Sequence, residues 1–191
     1  MTPSDIYDKL KAEFGEEKVT AFVENEVGDD WVQVAPGAVH EVALFLRDNA
    51  ELKFDGMQCL SGIDWGDRLG VVYHLYSYEL GHAIVLHVDV GRSENPLEPS
   101  PEEVQSVASV WPTADWHERE AYDMVGVRFA NHPDFRRILC PDDWEGFPLR
   151  KDYKTQEFYR GMPVPYPADE DLDSGGTYVF EDRFHKGEEE A

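Results

Sequence analysis

The stretch Leu52–Val90 reads LKFDGMQCLSGIDWGDRLGVVYHLYSYELGHAIVLHVDV, and its period of two decides the fold class. Strand side chains alternate between faces, so Ile84, Leu86, Val88 and Val90 share one face while Ala83, Val85, His87 and Asp89 share the other. Val71, Tyr73 and Leu75 alternate with Val72, His74 and Tyr76 in the same way, and a turn at Glu79–His82 joins these two strands. Upstream, Met57, Cys59, Ser61 and Ile63 are expected on one face of a third strand, ended by a loop over Asp64–Gly70. Successive strands with short connections predict antiparallel pairing.

Helical signals flank this block. Thr2-Pro3-Ser4-Asp5 reads as an N-cap, a proline at the first helical position and an acid three residues on, and Ile6, Leu10 and Phe14 follow as one apolar stripe ending near Gly15. Val19–Glu26 and Trp31–Val34 read as strands joined through Gly28-Asp29. Pro36 opens a second helix with Val39, Val42, Ala43 and Leu46 on one side. Ser100-Pro101-Glu102-Glu103 repeats the capping pattern, predicting a short helix through Val104, Val107 and Ala108 that Pro112 stops; Thr113 is expected to cap another, running to a C-cap at Gly126. The expected architecture is α+β: a two-layer domain with a mostly antiparallel or mixed five-stranded sheet covered by helices, then an irregular Arg/aromatic-rich extension.

Three segments follow from composition: the α+β domain over 1–130, an extended docking segment over 131–168, and an acidic, mobile tail over 169–191. Residues 128–160 hold seven basic residues against six acidic ones, whereas the whole chain of 191 residues carries a net charge of −23. Arg136, Arg137, Arg150 and Lys151 stand among Phe135, Trp144, Phe147 and Tyr153, and arginine and aromatic residues are enriched at interfaces. Composition leaves open whether this segment meets a partner or packs back on its own domain.

The same arithmetic excludes several function classes. With 41% apolar residues, five Trp, nine Tyr and ten Phe, the chain has the material for a core. The longest run without a charged residue is Val104–Ala114, too short for a membrane-spanning helix, which takes about 20 residues. MTPSDIYDKL shows neither the basic nor the apolar region of a secretory signal. Cys59 and Cys140 stand far apart without a CxxC, so neither a disulfide scaffold nor an iron–sulfur ligand set is expected. The negative charge opposes nucleic-acid binding.

Recognised catalytic motifs are absent. His117-Glu118-Arg119-Glu120 has Ala121 where a zincin would carry its second histidine, and Glu79-x-x-His82 falls in a turn. GxGxxG, GxxxxGK[ST] and GxSxG do not occur. Cys140 reads either as a partly activated thiol or as a small packing residue. Along the predicted helix, Arg119 and Asp123 stand at i,i+4 and are expected to pair. Large apolar neighbours (Trp111, Trp116, Tyr122, Met124, Val125) suggest partial burial of these charges, with the arginines of 128–150 as partners.

From Trp116 to Tyr153 the chain reads WHEREAYDMVGVRFANHPDFRRILCPDDWEGFPLRKDY. This closely resembles the signature of the C-type (30 kDa-type) subunit family of proton-pumping NADH–quinone oxidoreductase, respiratory complex I: ERE-x-YDMFG-[IV]-x-F, then GHPDLRRIL, then P-x-DW-x-G-x-PLRKDYP. Departures are few: Val125 for Phe, Asn131 for Gly, Phe135 for Leu, Phe147 for a common His, Lys154 for Pro. Asparagine tolerates the backbone conformation that glycine supplies at position 131. The resemblance implies a non-catalytic arm subunit that binds no cofactor or metal itself, in a complex that uses FMN, iron–sulfur clusters and quinone. It implies the D-type and B-type subunits of complex I as neighbours, C and D being one chain in some relatives. It also implies a peripheral position on the cytoplasmic side of the membrane, without a membrane span. Glu118, Arg119, Glu120, Asp123, His132, Arg136, Arg137, Arg150, Lys151 and Asp152 are then expected to form the assembly surface and its salt-bridge scaffold, so that removing one charge weakens binding to the D-type neighbour and leaves the domain folded. Alternatives are the equivalent subunit of a membrane-bound hydrogenase or an F420- or ferredoxin-linked dehydrogenase and, in another class, a freestanding acidic binding module.

Overall fold

The structure, a computed structural model, describes residues 1–164. Helix α1 (Pro3–Phe14) opens with the capping box read from the sequence: the Thr2 hydroxyl accepts from the Asp5 N–H at 3.2 Å, and Asp5 returns a bond from the Thr2 N–H at 2.9 Å. Strands β1 (Val19–Val23) and β2 (Trp31–Val34) pair antiparallel, β1 stopping short of the expected Glu26. A 3₁₀ turn at Pro36–Ala38 leads into α2 (Val39–Asp48), whose Val39, Val42, Ala43 and Leu46 are buried. Then come β3 (Gly56–Asp64), β4 (Arg68–Ser77) and β5 (His82–Gly91).

The five strands form one mixed sheet in the order β1-β2-β5-β4-β3. All pairings are antiparallel except β2 with β5, which the α2-containing crossover makes parallel. Ile6 and Leu10 of α1 and the apolar stripe of α2 share one core with Leu69, Val71, Tyr73 and Leu75 of β4 and with the Ile84–Val90 face of β5. Each such fully buried aliphatic side chain stabilises the fold by about 1.5–3 kcal/mol. The opposite sheet face carries Val72, His74, Val85 and His87, with Trp31 stacked on His87 at 4.2 Å.

Three local expectations are corrected. A bulge between Met57 and Cys59 shifts the register of β3, so Met57 does not share a face with Cys59, Ser61 and Ile63; Met57 and Leu60 are buried instead. The connection after β3 is tighter than Asp64–Gly70, because the ladder resumes at Arg68↔Gly91. The helix expected after Ser100 is a strand, β6 (Glu103–Gln105), parallel to β7 (Arg128–Ala130). Ser100 caps the wrong partner for a helix: its Oγ donates to the Glu102 carbonyl at 2.7 Å and accepts the Arg128 N–H at 3.0 Å. Val107 and Trp111 then close a turn rather than a helix.

Between β6 and β7 lies α3 (Ala114–Val125), packed on β3. Thr113 makes no side-chain cap. Gly126 ends the helix in the left-handed region (φ 83°), its N–H reaching the Ala121 and Tyr122 carbonyls. Gly62 of β3 lets α3 approach, since a Cβ there would sit 3.1 Å from the Ala121 Cβ.

Met1–Thr155 forms one compact unit, so residues 131–155 pack on the α+β domain. The described part of the second unit, beginning at Gln156, is a short hairpin of β8 (Phe158–Tyr159) and β9 (Met162–Pro163), with Arg160 and Gly161 both at positive φ in its turn. The tail expected over 169–191, and 165–168 of the docking segment, lie outside the described residues. Among the described residues, no helix is long and apolar enough to cross a membrane.

Candidate partner-docking site

Helix α3 delivers charge inward. Glu118 and Asp123 are each 0% exposed, and Arg119 is buried as well. A carboxylate taken out of water needs donors to replace hydration, and both find them. Glu118 accepts from the Ser106 hydroxyl at 2.6 Å and the Val107 N–H at 2.7 Å, which binds the chain after β6 to α3. Burial outweighs these two donors and pushes the Glu118 carboxyl up to about 7.

Asp123 sits in a nest of main-chain donors: Ile138, Leu139 and Cys140 N–H groups reach Oδ2 at 3.1, 2.6 and 2.8 Å. Arg137 Nη1 donates to the other oxygen at 2.8 Å, and its Nη2 donates to the Gly146 carbonyl at 3.1 Å. The expected Arg119–Asp123 pair is therefore replaced. Arg119 instead lies near Asp115 (3.8 Å) and Asp134 (3.6 Å), donates to the Arg136 carbonyl, and stacks over the Trp116 ring.

The PLRKDY stretch is tied down by a second set of contacts. Buried Arg150 donates to the Val125 carbonyl at 2.7 Å and the Pro96 carbonyl at 3.1 Å, while burial works against its charge. The Arg137 and Arg150 guanidinia both lie over the Phe147 ring, 5.2 and 4.4 Å from its centroid. Asp64, at the end of β3, accepts the Lys151 N–H at 2.8 Å and pairs with Arg92, which also reaches Asp152. Burial opposes the charge on Asp64, but the Lys151 and Gly66 N–H groups and the Arg92 guanidinium together hold its carboxyl below the ordinary value.

The ten residues singled out from sequence thus divide by position. Glu118, Arg119, Asp123 and Arg150 are buried, the His132 side chain is fully enclosed, and Arg137 is largely so. Glu120, Arg136, Lys151 and Asp152 face solvent, Arg136 paired with Asp134 at 3.0 Å. Around them stand large apolar side chains that the fold leaves uncovered: Trp116 at 62%, Leu139 at 63% and Leu149 at 63% exposure. Reading along the chain missed Asp64, Arg92, Ser106 and Asp115, whose roles come from long-range contacts. Cys140 is not activated: burial, with Asp123 beside it, pushes its thiol up.

Residues 32–159 match the family model of the respiratory-chain NADH dehydrogenase 30-kDa subunit, which takes in all but the first residue of β2, every later element through β8 and the whole charged cluster. The chain belongs to that family. It is 48% identical over 163 residues to the C-type subunit of NADH-quinone oxidoreductase from Chlorobium phaeobacteroides, covering 84% of this chain and 93% of that relative. It is 41% identical over 123 residues to the C/D-type subunit of NADH-quinone oxidoreductase from Phocaeicola vulgatus, covering 64% of this chain and 22% of that one. Among solved structures, a chain of the membrane-bound sulfane sulfur reductase, an archaeal respiratory membrane complex, shares the fold: TM-score 0.58, 22% identity, 79% of this chain and 85% of that one. The resemblance carried by WHERE…PLRKDY thus holds, and the chain is a subunit of the NADH–quinone oxidoreductase type.

Proposed function

We propose that this 30-kDa-family subunit contributes no catalytic centre of its own and serves as a structural piece of the oxidoreductase arm. It holds the quinone-site subunits while electrons pass from NADH to quinone, and the FMN, iron–sulfur clusters and quinone of the complex reside on other chains. The D-type subunit is its principal neighbour and the B-type subunit a second. The C/D-type chain of Phocaeicola supports this, because fusion keeps two functional partners side by side. Its place is peripheral, on the cytoplasmic side of the membrane.

The observation that carries this reading is the division of labour in the charged cluster. Buried pairs such as Asp123–Arg137 shape the 131–150 segment, and that segment leaves Leu139, Leu149 and the charged Arg136 exposed, with Glu120 of α3 exposed as well. Apolar anchors rimmed by charge are the composition of a docking surface, not of a solvated loop. The experiment is to tag the chain in its host, solubilise the membranes gently, identify co-purifying proteins by mass spectrometry and assay NADH:quinone activity. Recovery with quinone-site and cluster-bearing subunits plus that activity is expected. The same partners with hydrogenase or another donor activity would change the reaction, and recovery alone from the soluble fraction would overturn the reading.

A further inference from the structure

The loop between β5 and β6 carries a leucine into solvent on a closely bonded backbone. Leu97 is 55% exposed. The Asn95 side chain accepts the Leu97 N–H at 3.1 Å and donates to Glu98 Oε1 at 3.1 Å. The Ser93 hydroxyl accepts the Asn95 N–H at 3.2 Å and donates to Glu98 Oε2 at 3.2 Å. The Glu98 N–H then reaches the Asn95 carbonyl at 3.1 Å. Bonds at this density hold residues 93–98 in one conformation, so little backbone entropy is lost when Leu97 meets another surface.

Two sets of contacts join this loop to the docking segment. Gly146 has φ 77°, and a Cβ there would sit 3.3 Å from Leu97 Cδ2 and 3.4 Å from the Tyr153 ring. Leu97 thus lies against the main chain of the docking segment, where glycine leaves it room. Arg150 makes the second link. Its Nη1 donates to the Pro96 carbonyl at 3.1 Å, and its Nε donates to the Val125 carbonyl at 2.7 Å. The last carbonyls of a helix lack partners within it and form the negative end of its dipole, which suits a buried cation. Leu149, the residue before Arg150, binds the Met124 carbonyl through its own N–H at 2.9 Å and is 63% exposed. The end of α3 therefore holds both the loop that carries Leu97 and the stretch that carries Leu149.

We propose that Leu97 is a further anchor of the docking surface, presented together with Leu149, and that the D-type neighbour meets it with an apolar pocket rimmed by basic groups. The rim follows from charge. Glu94 and Glu98 stand on either side of Leu97 in the loop, Glu145 precedes Gly146, and all three are exposed. On a chain of net charge −23, this end of the surface draws a partner that brings cations. Arg150 is a positioning residue here: buried, it touches no partner, and it acts by fixing Pro96 to the end of α3. The inference rests on the docking role proposed for residues 131–150 and extends it to a loop outside that segment.

The test is retention of the oxidoreductase subunits on the tagged full-length chain, purified from gently solubilised host membranes through washes of rising salt. Leu97→Ala should weaken retention about tenfold, as Leu149→Ala does, without changing the melt of the purified chain. Glu94→Gln with Glu145→Gln should make retention less sensitive to salt. For Arg150→Gln, amide hydrogen exchange at Leu97, Glu98 and Leu149 should rise together by about tenfold while the β4 amides keep their protection. If that variant does not fold, the Leu97 and glutamate variants still decide the proposal. Full retention in Leu97→Ala beside weakened retention in Leu149→Ala would overturn this inference and leave the docking reading standing. Full retention in both would overturn the docking reading as well. A salt response unmoved by the two glutamine substitutions would overturn the basic rim, and exchange rising evenly across β4 and β5 in Arg150→Gln would overturn the positioning role.

Discussion

Arg137 donates to Asp123 at 2.8 Å inside the subunit, so a pair that reads from sequence as part of an intersubunit scaffold is satisfied within one chain. The same carboxylate gathers three consecutive N–H groups from Ile138 to Cys140, which have no regular secondary structure of their own. Asp123 therefore acts as the organising centre of the 131–140 loop. Asp123→Ala strands a guanidinium and three amides at once, and should cost about 3–5 kcal/mol in denaturant unfolding. Glu120→Ala, three residues away on the exposed side, should stay within about 0.5 kcal/mol. Equal effects at both positions would mean that the nest does not hold the loop.

Glu118 gives the fold a pH dependence opposite in sign to that of a carboxyl held below its ordinary value. Its carboxyl is raised from 4.5 to about 7, mainly by burial. A raised carboxyl contributes fully below its unfolded value, and that contribution is lost as pH rises through the folded value. Stability should therefore decline between about pH 5 and about pH 7.5, by up to about 3 kcal/mol from this group alone. Asp64 has the reverse sign: its lowered carboxyl stabilises above the ordinary carboxylate range and is lost on acidification. Thermal melts across this range should show the decline in the unsubstituted chain and a flatter profile in Glu118→Gln. A melt temperature that climbs with pH over the same interval would contradict the assignment.

Much of this architecture is visible in local pattern. The alternation in β4 and β5, the capping box at Thr2 and the C-cap at Gly126 are properties of short windows, and each appears where expected. The charged signature was legible as a set but not as a wiring diagram. Arg119 and Asp123 have helical i,i+4 spacing, yet tertiary partners from residues 134–140 displaced that pairing. The misread helix after Ser100 failed for a related reason. A capping motif states only that a serine can accept an amide proton, and here the amide belongs to Arg128, brought close by the parallel β6–β7 pairing. Asp64 and Lys151, 87 residues apart, give no local signal of their contact.

Gly126 is required twice over. Its φ of 83° suits glycine, and a Cβ there would lie 2.5 Å from Arg150 Nη2 and 2.9 Å from the Phe147 ring. Strain and overlap act together in Gly126→Ala, which should lose about 2–4 kcal/mol by chemical unfolding and displace the Arg150 side chain. Asn131 supplies the contrast. It holds φ 62° where the family signature carries glycine, and asparagine already tolerates that conformation, so Asn131→Gly should change stability by less than about 1 kcal/mol in either direction. A large loss at Asn131, matched by tolerance at Gly126, would reverse this account of the two sites.

The exposed apolar side chains separate folding from assembly most cleanly. Leu139 and Leu149 are each more than half exposed and lie outside the apolar core, so truncating either removes little from the isolated fold, whereas the equally exposed Trp116 carries the buried Arg119 guanidinium on its ring. Leu139→Ala and Leu149→Ala should each leave the unfolding free energy within about 0.5 kcal/mol. At a docked surface the same truncations uncover a buried anchor, and anchors of this kind are worth about 1–2 kcal/mol or more, a tenfold or larger weakening. Co-purification of the oxidoreductase subunits with the tagged chain should therefore fall in both variants while the melt of the purified chain is unchanged. Undiminished co-purification in the Leu139→Ala, Leu149→Ala double variant would place the interface elsewhere.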